Sequence, residues 1–139
     1  MALTADTNLV KQDGELLSLP MAAEKIYQGA LVKINAAGYA AKSAAEAGST
    51  FAGIAYEQKD NSAGAAGDKV IRVENTGAFI LPIASATQAD VGSKVYAAAD
   101  DVVTLTEGAD KKPIVGVIVK VVSATKVLVR LSAFTGTGA

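Results

Sequence analysis

Carboxylates, lysines and hydroxyls are the groups this 139-residue chain offers for chemistry, because it contains no His and no Cys. That removes thiolate nucleophiles, iron–sulfur clusters, the usual structural zinc sites and any imidazole proton shuttle near neutral pH. Converging carboxylates could still hydrolyse a glycoside or hold Ca²⁺. Asp100 and Asp101 are adjacent, so in extended backbone they point to opposite faces, and the alternating oxygen ligands of a Ca²⁺ loop are missing around them. They read as a solvated turn. Asp6, Asp13 and Glu15 fall where nothing fixes their geometry, and Asp60-Asn61-Ser62, which could lend oxygens to a cation, reads as a polar loop. Gly64-Ala65-Ala66-Gly67-Asp68-Lys69 lacks the Gly-Lys-Ser/Thr ending of a phosphate-binding loop and precedes a strand pattern rather than a helix. Lys42 and Ser43 are neighbours that diverge at a strand end, and no Gly-x-Ser-x-Gly elbow occurs. Tyr27, Tyr39, Tyr56 and Tyr96 are scattered singly, as packing residues are. No catalytic, cofactor-binding or metal-binding residue is assigned, and the chain is expected not to be an enzyme.

The elements that would have to position any such group are β-strands. Pro113 to Leu131 reads as two strands folded back on each other, with Ser123-Ala124-Thr125 as the turn. Val127, Val129 and Leu131 share one face of the second strand; Lys126, Leu128, Arg130 and Ser132 share the other. The first strand, Ile114 to Val122, is apolar on both sides except at Lys120 and is expected to be covered on both. Further strands are expected at Ala30–Ile34, Tyr39–Lys42, Phe51–Gln58, Val70–Glu74, Gly77–Leu81, Lys94–Ala97 and Val102–Thr106. Short helical turns are expected near Met21–Lys25, started by Pro20, and near Ala86–Val91, where Thr87 and Asp90 stand at capping-box spacing and Gly92 closes the segment.

The chain repeats itself. Leu19-Pro20 matches Leu81-Pro82, Gly29-Ala-Leu-Val-Lys-Ile matches Gly92-Ser-Lys-Val-Tyr-Ala, and Phe51-Ala-Gly-Ile-Ala matches Ile114-Val-Gly-Val-Ile. Lys69-Val-Ile-Arg-Val is set against Lys126-Val-Leu-Val-Arg, and Gly29 to Gly53 spans the same 24 positions as Gly92 to Gly116. Two copies of one β-unit are the simplest explanation, roughly residues 16–77 and 78–134. Gly53 and Gly116, inside strand patterns, mark bulges or bends, and Gly29 and Gly92 mark the ends of the preceding segments. The first copy carries a longer loop, Lys59–Asp68, whose composition is that of a flexible connection. The expected fold is all-β, a small barrel or sandwich built from two similar units. An extended N-terminal arm (residues 1–15) precedes a single barrel domain (16–134), and a frayed tail (135–139) follows.

Composition narrows the partners. Thirteen basic residues against fourteen acidic ones give a net charge of −1, so neither nucleic acid nor an anionic membrane is suggested. No N-terminal basic-then-apolar leader and no run of about 20 apolar residues is present. Aromatics are only 5% and Trp is absent, which argues against a carbohydrate or single-strand nucleic-acid module. Such a ligand-binding module, using Tyr39 or Tyr56, is the alternative to a structural protein.

The duplicated glycine pattern, the Leu-Pro segments and the closing Ile-Val-Gly-Val-Ile…Lys-Val-Leu-Val-Arg-Leu resemble the small capsid decoration, or cement, proteins of tailed bacteriophages, from about Leu16 to Leu131. The resemblance implies a virion protein, made in the host cytoplasm, that binds the outside of an expanded head and bridges neighbouring major capsid subunits. It implies a homotrimer, with a dimer as the alternative, and no cofactor. It also directs attention to the arm, whose candidate capsid or subunit contacts are Leu3, Asp6, Asn8, Leu9, Val10, Leu16, Leu17 and Leu19.

Overall fold

The computed structural model describes Ala5 and residues 15–45, 49–109 and 112–134. The first half forms β1 (Leu16–Pro20), β2 (Lys25–Ile26), β3 (Leu31–Ile34), β4 (Ala40–Lys42), β5 (Thr50–Ala55), β6 (Lys59–Asp60) and β7 (Val70–Glu74). The second forms β8 (Ala78–Pro82), a 3-10 turn (Gln88–Asp90), β9 (Lys94–Ala97), β10 (Val103–Thr104), β11 (Ile114–Ser123) and β12 (Lys126–Leu131). β1, β7, β5, β3 and β4 lie side by side in one five-stranded sheet, and β8, β12, β11, β9 and β10 lie side by side in another. The two sheets therefore have one topology, strand for strand. An all-β fold of two similar units is what the sequence pattern requires.

Each sheet curls until its edges meet. Met21, just after β1, makes a parallel bridge to Ala40, and Ile83, just after β8, makes the equivalent bridge to Val103. Pro20 and Pro82 close the preceding edge strands, where a residue without an N–H costs no ladder hydrogen bond. The apolar residue that follows each is buried inside its unit.

Strand register corrects one detail of the repeat. Pro20 lies opposite Val70 and Pro82 lies opposite Lys126, so Val70, not Lys69, is the counterpart of Lys126. The glycine equivalence stands, because Val32 faces Gly53 as Val95 faces Gly116. At each glycine the register shifts by one residue, which breaks the alternation of sides. Ala52 and Ala55 consequently turn into the first unit, with Met21, Ile26, Val32, Ile71 and Val73. Phe51 and Ile54 turn the other way, and with Leu31 they join Val95, Val115, Ile118, Val127 and Val129 in the core of the second unit. Backbone hydrogen bonds from Leu31 to Asp100 (2.8 Å) and from Phe134 to Phe51 (2.8 Å) stitch the same seam.

Other expectations need correction. Met21–Lys25 is not a helical turn: Met21 is drawn into the sheet-closing bridge, and Lys25–Ile26 pairs with Lys59–Asp60. Thr87 and Asp90 do hold a short 3-10 turn, the Thr87 N–H donating to Asp90 Oδ2 at 2.8 Å, with Gly92 at φ +92° behind it. The strand from Phe51 stops at Ala55: the Tyr56 N–H still donates to the Arg72 carbonyl in the β5–β7 register, but the chain bends at Tyr56 and Glu57. The loop at Lys59–Asp68 is pinned rather than loose, since the Asn61 side chain is buried and its amide donates to the carbonyls of Ala65 (2.9 Å) and Ala22 (3.2 Å). β11 is covered on both sides only in its first half. Register shifts after Ile118 and after Val121 push Val119 and Val122 outward, where they are 39% and 47% exposed.

Candidate functional site

Three places gather polar groups. One is an open cleft of about 480 Å³ where the two units meet, lined by Glu24, Lys33, Lys42, Ser43 and Asp100. Lys33 projects from β3 and is mostly buried there; burial lowers its amine below the usual lysine value, while the Glu24 carboxylate works in the opposite direction. Ser43, beside it, is buried, and among the described residues its hydroxyl meets no hydrogen-bond partner. The amine and the carboxylate share a wide mouth open to solvent.

A second place is the strap Lys59–Lys69. Asp60 accepts from the Ser62 hydroxyl and N–H, and these bonds hold its carboxyl below the usual range. The Lys69 amine donates to the Asp60 carbonyl at 2.7 Å. Asp60 and Ser62 thus bond each other, the Asn61 amide bonds the Ala22 and Ala65 carbonyls while its Oδ1 is buried without a hydrogen-bond partner among the described residues, and among those residues no cluster of three potential metal ligands occurs. Asp100 and Asp101 occupy the β9–β10 turn, where the Asp100 carbonyl accepts from Leu31. Ser123 and Lys126 have a Ser-x-x-Lys spacing that the sequence pattern did not single out. They face each other across the β11–β12 turn, and the Ser123 hydroxyl lies 3.5 Å from that of Thr125.

The third place is the outward surface of the two sheets. In the first unit, Arg72 on β7 donates to both carboxylate oxygens of Glu57 (3.2 and 3.1 Å), and its guanidinium lies 5.1 Å from the Tyr56 ring centre. The bonds to Arg72 hold the Glu57 carboxyl below its ordinary value. Tyr27 is likewise capped by Lys25, at 4.8 Å. In the second unit, Ile80, Leu128 and Lys120 form one row across β8, β12 and β11, and Ala78, Arg130, Val117 and Lys94 form the next.

The sequence-predicted contact residues divide. Leu3, Asp6, Asn8, Leu9 and Val10 lie outside the described residues. Leu17 and Leu19 on β1 pack against the first core, while Leu16 is 40% exposed. Of the four glycines, Gly29, Gly53 and Gly92 have positive φ, and Gly116 does not. A Cβ on Gly53 would fall on the Glu74 carbonyl, and one on Gly116 on the Arg130 carbonyl, so close backbone approach is the requirement the two strand glycines share.

Comparison with known families matches residues 11–132 to a family described as phage cement protein. Neither a search of curated proteins nor one of solved structures found a match.

Proposed function

Because this chain belongs to the phage cement protein family, we propose that it binds the outer surface of an expanded phage capsid and stabilises it by bridging neighbouring major capsid subunits. The carrying observation is the extent of the family match, which takes in both β-units and the residues just before β1. The family is a structural one, associated with the phage capsid. A pair of fused β-units suits a shell protein, since weak contacts repeated over many copies give high avidity without a deep pocket.

In this reading the protein acts as a homotrimer, with a dimer as the alternative, and its partner is the major capsid protein. Residues 1–15 form an arm whose Leu3, Asp6, Asn8, Leu9 and Val10 add contacts on the lattice. Leu16, Leu17 and Leu19 anchor the arm to the first unit, two of them through its core. Expanded heads lacking the protein, incubated with it and imaged by cryo-microscopy, are expected to show added density outside the shell and to withstand heat better. Heads that gain neither would overturn the proposal. Removing residues 1–14 is expected to lower occupancy about tenfold, as loss of one contact in a multivalent set does, while leaving the fold intact. Light scattering on the free protein tests the trimer.

A further inference from the structure

Resting on that reading, we infer that the outward face of β8, β12 and β11 is the surface that meets the capsid, and that it takes an apolar strip bordered by carboxylates. The duplication supplies an internal control. Strand register makes Ser18 the counterpart of Ile80 and Arg72 that of Leu128. Counting on from Gly53 and Gly116 makes Glu57 the counterpart of Lys120. In the first unit these positions are polar and close on themselves through the Arg72–Glu57 ion pair. The fold therefore does not require apolar residues there, yet the second unit places Ile80, 58% exposed, beside Leu128, and β11, on the far side of β12, adds the exposed bulge residues Val119 and Val122.

The charges say what covers this strip. Lys94, Lys120, Lys126 and Arg130 stand on the same face and are exposed, and the paired residues of its rows include no carboxylate. Among the described residues none of the four enters an ion pair. Two copies meeting through this face would bring like charges together, which disfavours a self-complementary dimer here and favours a different, acidic surface. The outward paired rows across β8, β12 and β11 include no aromatic residue, and Tyr96, two residues beyond Lys94 on the same side of β9, is a single partly covered ring rather than a series on which successive bases could stack.

The test compares binding to expanded heads for the native protein, Ile80→Asp, Lys120→Glu/Lys126→Glu, and Ser18→Asp as the first-unit control, each checked for an unchanged unfolding transition. Ile80→Asp and the double charge reversal are expected to weaken binding about tenfold or more, Ser18→Asp to leave it within about twofold, and raised salt to weaken native binding. The charge reversal alters only exposed side chains and keeps the test valid if Ile80→Asp does not fold. Native protein that binds heads while both face variants bind equally well overturns the inference and leaves the cement reading standing. The inference also falls if the variants change the oligomeric state instead of head binding, or if Ser18→Asp is as damaging. Native protein that does not bind heads removes both.

Discussion

At the scale of single residues, the glycines show how one residue type answers different demands. Gly53 combines φ +145° with a Cβ position blocked by the Glu74 carbonyl, so Gly53→Ala adds backbone strain to steric overlap. Gly116 has only the overlap, and Gly92 only the positive φ, with open space around it. Urea unfolding is expected to rank the alanine variants accordingly: about 3 kcal/mol or more lost at Gly53 and Gly116, and about 1 kcal/mol at Gly92. A uniform loss would contradict the assignment. Titration gives a second residue-level expectation. The carboxyls of Glu57 and Asp60 are held below their ordinary values by hydrogen bonds from Arg72 and Ser62. Their contribution to stability is thus fully present above the ordinary carboxylate range and is lost as pH falls through the lowered folded values. NMR titration should return Glu57 to the ordinary range in Arg72→Ala and leave Asp60 unchanged. Lys33 has the same sign for a different reason. Burial lowers its folded value, so stability should rise as pH climbs from that value toward that of a free lysine.

At the scale of elements, the strap between β5 and β7 is where the two copies differ most. Val70 follows Gly53 by 17 positions, whereas Lys126 follows Gly116 by 10. Composition alone reads the extra length as a loose loop, since Gly, Ala, Ser and Asp dominate it. A single buried side chain decides otherwise, because Asn61 satisfies carbonyls on both the strap and the segment after β1. Asn61→Ala would remove both bonds, and because the Ala22 and Ala65 carbonyls keep backbone donors from Glu24 and Asp68, it is expected to cost about 2 kcal/mol, the net worth of two hydrogen bonds, rather than more. It should also speed amide exchange across Lys59–Asp68 relative to β12; unchanged exchange there would remove Asn61 as the pin. The β11–β12 hairpin was legible because its alternation, turn residues and β-branching agree. The exposed second half of β11 was not, because a bulge moves side chains between faces without changing composition.

At the scale of the whole molecule, the two units share material across their seam. Phe51 belongs by sequence to the first unit and by packing to the core of the second. The chain is therefore expected to unfold in one transition rather than two. Phe51→Ala, which empties a fully buried aromatic site, is expected to lower stability by about 3–5 kcal/mol and to shift the near-UV and far-UV transitions together. Separate transitions would show that each curled sheet is stable alone. One strand links the two cores, since β5 sends Phe51 and Ile54 into one and Ala52 and Ala55 into the other.

The all-β class, the duplication, the glycine and proline positions and the family resemblance all follow from the order of residues alone. Each rests on local periodicity or on residues with special backbone geometry, and both are written along the chain. Folding in three dimensions was needed to make Phe51 and Ile54 serve the other unit, to let Asn61 pin its loop, and to set Lys126 against Val70. It also gave the outward faces of the two units their different character. Those facts depend on register shifts and on contacts between distant segments, which composition and spacing do not encode. A one-residue bulge is enough to exchange the inside of a strand for its outside.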